Sequence, residues 1–250
     1  MAVALRSSNK NKIYGNTSLS INKPAGTVSG DLIIISAIID VATTMTVSGF
    51  TEFATTASQA SVSSHSFWKL AGSEEPARYT ITIGISNNIV GIIAGFYETT
   101  GTGTWTLSFN IGDRIASGTS QTTSSITTSA NSLLYIAFSN DDDETVTTAP
   151  ADMTSLEEYM INSVAISSYY ELKNVDTLTK SITWSGYNEE LIANTGVFTS
   201  SLSPTTGTNM QINIADTWKE VPAAQINIGD IWKEVTSMKV NIGDVWKEVF

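Results

Sequence analysis

The chain has 250 residues, with 13 Lys plus Arg against 24 Asp plus Glu, one histidine and no cysteine. The missing thiols exclude disulfide scaffolds, thiolate zinc sites, iron–sulfur clusters and cysteine nucleophiles, and a single imidazole excludes any chemistry that needs two. A net charge of −11 argues against a phosphate-tracking nucleic-acid surface, whose affinity comes from cations displacing counterions, and against anionic membrane for the same reason.

Only 15% of residues are charged, whereas 34 Thr and 32 Ser supply most of the polarity. A helical protein solvates its outer faces with Lys, Glu and Arg; hydroxyls in that role point to strands. The expectation is an all-β protein, an antiparallel β-sandwich of jelly-roll or lectin-like type.

In chain order, the start Met1-Ala-Val-Ala-Leu-Arg6 has no apolar run behind its cation, so neither a signal peptide nor a membrane anchor is expected there. Alternation with a period of two follows at Ser18-Leu-Ser-Ile21, Tyr79-Thr-Ile-Thr-Ile-Gly84, Trp105-Thr-Leu-Ser-Phe109 and Ser181-Ile-Thr-Trp184, each a strand with one buried face. The unbroken apolar runs Leu32 to Ala42 and Ile89 to Phe96 are too short to span a bilayer and read as fully buried strands. Turn clusters separate them at Lys23–Gly26, Val28–Asp31, Glu74–Ala77, Thr100–Gly103 and Ser185–Asn188. Ala151 to Tyr159, with Thr154 or Ser155 ahead of Glu157 and Glu158, has the makings of a helix start, read here as a single turn beside a loop.

The C-terminal stretch repeats. Gln211-Ile-Asn-Ile-Ala-Asp-Thr-Trp218-Lys-Glu-Val221 aligns with Gln225-Ile-Asn-Ile-Gly-Asp-Ile-Trp232-Lys-Glu-Val235 and with Lys239-Val-Asn-Ile-Gly-Asp-Val-Trp246-Lys-Glu-Val249, a strict period of 14 residues. That length suits one β-hairpin plus a link. Gly229-Asp230 and Gly243-Asp244 fit a two-residue type II′ turn, which would set Ile228 against Ile231, Ile226 against Lys233 and Asn227 against Trp232. The first unit has Ala215 where the others have Gly, so its turn is of another type. Three narrow hairpins cannot bury both faces alone, so Trp218, Trp232 and Trp246 are expected at an assembly interface or in packing. The domains read as 1–200, a sandwich; 201–210, a linker; and 211–250, the hairpin array.

Chemistry has few footholds. His65 has no Gly-x-Ser-x-Gly elbow to serve, and no Ser-His-Asp triad can be assembled around it. The carboxylate pairs Glu74/Glu75, Glu157/Glu158 and Glu189/Glu190 are adjacent in sequence and would point apart in a strand. Asn140-Asp-Asp-Asp-Glu144 offers hard oxygen ligands for calcium without the spacing of an EF-hand loop, and Asp141–Glu144 reads as an exposed acidic loop. No catalytic residue, cofactor or metal is assigned.

Residues 1 to about 200 resemble a domain of structural and tail-fibre-like proteins of tailed bacteriophages. The resemblance rests on Thr17-Ser-Leu-Ser-Ile-Asn-Lys-Pro-Ala-Gly26 leading to Gly30-Asp-Leu-Ile-Ile34, then Gly49-Phe50, then Phe67 to Thr80, then Ser124 to Leu134. The Asn-Ile-Gly-Asp-x-Trp-Lys-Glu-Val units look like the short Gly-x-Trp-Lys repeats that end many phage virion proteins. The resemblance implies a non-enzymatic virion surface protein, either head decoration or head fibre or a tail-fibre component. It would assemble in the bacterial host cytoplasm with other capsid or tail proteins, as a homo-oligomer such as a trimer. It carries strand and turn positions across, and no catalytic residues.

Two other classes stand beside this expectation. One is a receptor-binding protein for host glycan or a polysaccharide depolymerase, the latter needing converging carboxylates and Trp68, Trp105 and Trp184 on one face. The other is a cellular lectin unconnected with phage.

Overall fold

A computed structural model describes residues 3–57, 62–99, 103–129, 132–173, 175–188 and 190–202, and beyond them strand residues 210–214, 217–221, 225–228, 231–234, 239–242 and 245–248. The protein is all-β, and its sheets are antiparallel. It divides into two units, Met1–Ser201 and Leu202–Phe250.

The first unit opens with β1 (Val3–Asn22), β2 (Leu32–Ile39), β3 (Met45–Val47), β4 (Thr51–Ala57), β5 (Ser63–Leu70) and β6 (Arg78–Glu98), in one sheet of order β1-β6-β2-β5-β4 with β3 attached to β6. β2, Leu-Ile-Ile-Ile-Ser-Ala-Ile-Ile, is buried at every position because both faces of its sheet are covered. The first half of β6 instead alternates buried and exposed, since only one of its faces meets the core. β1 and β6 are long enough to serve twice. Their register slips between Ile13 and Ser18, and beyond that bend Leu19, Ile21, Ile81 and Ile83 pack with Ile33, Ile35, Ala37 and Ile93 in one cluster.

The unit continues with β7 (Gly103–Ile115), β8 (Gly118–Thr122), β9 (Ile126–Thr128), β10 (Ser132–Asn140), β11 (Val146–Thr148), β12 (Thr154–Ile161), β13 (Val164–Lys173), β14 (Asp176–Leu178), β15 (Ser181–Asn188) and β16 (Leu191–Leu202). The second large sheet has the order β12-β13-β10-β16-β7. Its outer face is covered by the small sheets β11-β15-β8 and β14-β9, which bring Ile126, Ile182 and Trp184 onto Leu134, Ile136, Phe138 and Val197.

Between the two large sheets lies the central core. Leu32, Ile34, Ile92 and Phe96 from one sheet meet Leu133, Tyr135, Ile166 and Phe198 from the other. Each such apolar side chain contributes about 1.5–3 kcal/mol on full burial. The sheet edges are closed by side chains. β1 runs beside β12, with Lys10 Nζ donating to Glu158 O at 3.0 Å and Lys12 Nζ to Met160 O at 3.0 Å. β4 runs beside β7, where Asn110 Nδ2 donates to Phe53 O at 2.5 Å. Occupied edge carbonyls are poor templates for another strand.

Three local expectations are corrected. Ala151 to Tyr159 is not a helical turn beside a loop: after a turn with Asp152 at φ 63° the chain enters β12, whose ladder to β13 outweighs a weak helix start. Ser185–Asn188 lies inside β15, not in a turn between strands. The run from Leu32 leaves the strand at Ile39, before Ala42. Of the Thr100–Gly103 cluster, residues 100–102 lie outside the described residues.

The second unit consists of strand pairs: β17 (Met210–Ile214) with β18 (Thr217–Val221), β19 (Gln225–Ile228) with β20 (Ile231–Glu234), and β21 (Lys239–Ile242) with β22 (Val245–Glu248). Their registers set Asn213 opposite Trp218, Asn227 opposite Trp232 and Asn241 opposite Trp246. The expected type II′ turns at 229–230 and 243–244, and the turn at 215–216, lie outside the described residues.

Candidate functional site

The residues weighed for chemistry are dispersed, and most are already engaged. His65 is buried, its Nδ1 is 2.5 Å from Glu52 Oε1 and 3.2 Å from Thr55 Oγ1, and its Nε2 is 3.0 Å from Thr43 O. The imidazole therefore ties β5 to β4 and to the segment after β2. Glu157 takes Lys10 and Ser8, while its neighbour Glu158 accepts from Val146 N, so the pair splits between two edges. Glu190 is paired with Arg114 and is buried; Glu189 lies outside the described residues.

Trp105 packs in the central core, with Trp68 against it, whereas Trp184 belongs to the cluster on the far side of the second sheet. These three rings do not share a face, which is what an aromatic-lined sugar groove between them would require. In the acidic loop, Asp141 Oδ1 accepts from Glu190 N at 2.6 Å and Glu144 takes Ser185. Among the described residues no three His, Asp or Glu side chains converge as a metal centre needs. Trp218, Trp232 and Trp246 each sit on the second strand of a pair, opposite an asparagine.

Two surface clefts do bring functional groups together. The first, of about 480 Å³, opens between the end of β3 and the start of β6 and is lined by Thr46, Ser48, Lys69, Arg78, Tyr79, Thr80 and Thr82. Its organiser is Glu75. That carboxylate lies 2.7 Å from Lys69 Nζ, accepts from Tyr79 Oη at 2.7 Å and accepts from Gly72 N at 2.6 Å. Burial alone would push Glu75 up, but Lys69, Gly72 and Tyr79 together hold it below the usual carboxylate range. Burial and then Glu75 push the Tyr79 phenol far above its ordinary value. Lys69 also lies over the rings of Phe50 and Tyr79, at 5.6 and 5.8 Å.

The second cleft, also about 480 Å³, opens between the end of β11 and the start of β15, with Thr148, Asp152, Lys173, Asp176, Lys180 and Ser181 around it. Here Glu171 is the shared acceptor, 2.7 Å from Lys180 Nζ and 3.0 Å from Lys173 Nζ. Its hydrogen bond to Lys173 raises that ammonium's pKa. Both clefts present hydroxyls and fixed charges to water, a set suited to hydrogen bonding a polar ligand.

Neither cleft was legible in the sequence, although one signal was available. Gly49-Phe50 and the Phe67–Thr80 stretch, which carry part of the phage resemblance, converge on the Glu75 network through Phe50, Lys69 and Tyr79. Comparison with known protein families, with characterised proteins and with solved structures finds no match.

Proposed function

We propose that this chain is a non-enzymatic surface protein of a tailed-bacteriophage virion, a head decoration, head fibre or tail-fibre component. In this reading Met1–Ser201 is displayed outward and the C-terminal array serves assembly or attachment. The observation that carries it is the threefold return of one motif, Asn-Ile-x-Asp-x-Trp-Lys-Glu, each time with tryptophan opposite asparagine in the strand register. A motif that returns every 14 residues in sequence is the form of an element that meets a lattice or its own copies. A hydroxyl-rich, acidic surface supports solubility at high copy number.

Deleting 211–250 tests it. The shortened chain is expected to keep its sandwich while losing oligomerisation or incorporation into particles, read by light scattering and by immunogold labelling with antibody to residues 1–200. Unchanged mass together with unchanged incorporation refutes the role given to the array.

A second reading, host-glycan binding, has the clefts in its favour. Arg78, Lys69 and the threonine hydroxyls around the first could hold an acidic sugar by hydrogen bonds and charge. Saturable binding of the full chain on a glycan array, abolished by Arg78→Ala, supports it; binding unmoved by that change removes the cleft from consideration.

A further inference from the structure

The two halves of the first unit carry the same wiring. In the first sheet Leu32 stands opposite Leu70 on one side and Phe96 on the other; in the second, Leu133 stands opposite Leu172 and Phe198. The sheet orders β1-β6-β2-β5-β4 and β7-β16-β10-β13-β12 match strand for strand. Irregularities match too. The β4–β5 ladder slips between Glu52 and Ala54, just where Phe67 gives way to Ser66, and the β12–β13 ladder slips between Ser155 and Glu157, where Tyr169 gives way to Ser168. In the outer layers Met45 pairs with Ile83 as Val146 pairs with Trp184. A left-handed turn follows each of these short strands, at Gly49 and at Asp152, and one of the two equal clefts opens beside each. The edges close reciprocally, β4 on β7 and β12 on β1, as two copies related by a twofold axis must.

We infer that residues 3–98 and 103–201 are two copies of one folding unit, and that the face where their large sheets meet is a recognition surface between separable partners: either half can take the other from a second copy of this chain. The inference stands apart from the virion reading.

The buried polar groups on that face set which partner is accepted. Tyr135 Oη donates to Ser36 Oγ at 3.0 Å, Asn194 Nδ2 donates to Ser64 Oγ at 3.1 Å, and Ser64 meets Ser139 at 3.1 Å. Each of these contacts crosses from one half to the other. By the matched registers, Tyr135 occupies the place of Ile34, and Asn194 that of Ile92. Two second halves pressed together would take Ser36 from Tyr135, leaving the phenol only Ser168 of its own half, and would take Ser64 from Asn194, while two first halves would leave Ser64 without Asn194 and Ser139. Each self-pair forfeits buried hydrogen bonds that only the mixed pair makes, so cross-pairing is selected over self-pairing.

The test uses the full chain with a protease site placed in the 99–102 connection. After cutting, the fragments are expected to stay together one to one and to elute with the mass of the uncut chain. Unfolded, separated and refolded as an equimolar mixture, they should give mixed pairs in at least about tenfold excess over self-pairs by native mass spectrometry. Tyr135→Phe with Asn194→Ile, which makes both positions apolar as Ile34 and Ile92 are in the first half, should move that ratio toward the statistical one; Tyr135→Phe alone should move it part of the way. Fragments that part on cutting, or that regain structure only when covalently joined, overturn the separable-partner inference. A mixed-to-self ratio unchanged in both variants overturns the role of the polar groups.

Discussion

Truncating Phe198 to alanine measures how much the contact between the two large sheets contributes. The ring is fully buried, 5.3 Å from Phe53 at an interplanar angle of 86° and 5.7 Å from Trp68 at 61°, so it joins one sheet to the other through two edge-to-face pairs. The space it leaves cannot close easily, because β16 is held between β10 and β7. Gly196 beneath it shows how tight the site is: a Cβ there would stand 2.7 Å from the Phe53 ring and 2.9 Å from that of Phe198. Buried Phe→Ala substitutions cost about 3–5 kcal/mol, and two lost aromatic pairs put Phe198 in the middle or upper part of that range, about 4 kcal/mol. For a domain of this size that is a fall in Tm of about 8–16 °C. Thermal and urea unfolding of Phe198→Ala reads it, with the exposed Tyr187→Ala as a control expected within about 0.5 kcal/mol. A loss below about 1.5 kcal/mol would refute the claim that this shared core holds the sheets together.

Further outcomes follow from individual groups. Glu75 is held below its usual range in the folded protein, so its contribution to stability is present above the unfolded carboxylate value and is lost as pH falls through the folded one. Glu75→Gln should therefore lower stability at pH 7 by about 1–2 kcal/mol and flatten the acid limb of a pH–stability curve; an unchanged limb counts against the network. The Tyr135 phenol is pushed up to about 12 by burial, against the opposing bonds to Ser36 and Ser168, so its contribution is full below pH 10 and falls away as pH rises toward 12. Ultraviolet titration should show this tyrosine ionising late, and ionisation near pH 10 with the fold intact would contradict its burial. Gly49 and Asp152 both sit at positive φ, and a Cβ at Gly49 meets open space. Gly49→Ala is expected to cost about 1 kcal/mol and Asp152→Gly to gain up to about 1 kcal/mol in chemical denaturation; equal signs would refute the backbone argument.

Sequence periodicity and composition were enough to establish the all-β class. Alternation at Ser18–Ile21 and Tyr79–Gly84, unbroken apolar runs from Leu32 and Ile89, and hydroxyls in place of charges are local consequences of strands with one or two buried faces, and local patterns survive in the order of residues. The 14-residue period was equally plain, being a matter of identity at fixed spacing. The tertiary structure decided what depends on pairing across long stretches of chain. Ala151–Tyr159 became a strand because β13 was there to receive it. Glu75, unremarkable beside Glu74 in sequence, became the centre of a network because Lys69, Gly72 and Tyr79 fold around it. The matching of the two halves was hidden for the same reason. It is conserved in registers, bulges and turn handedness, which many side chains satisfy, while few identities survive, such as Leu70 with Leu172 and Phe96 with Phe198. Backbone geometry tolerates side-chain replacement so long as volume and burial are kept, so a repeated architecture outlasts the repeated sequence.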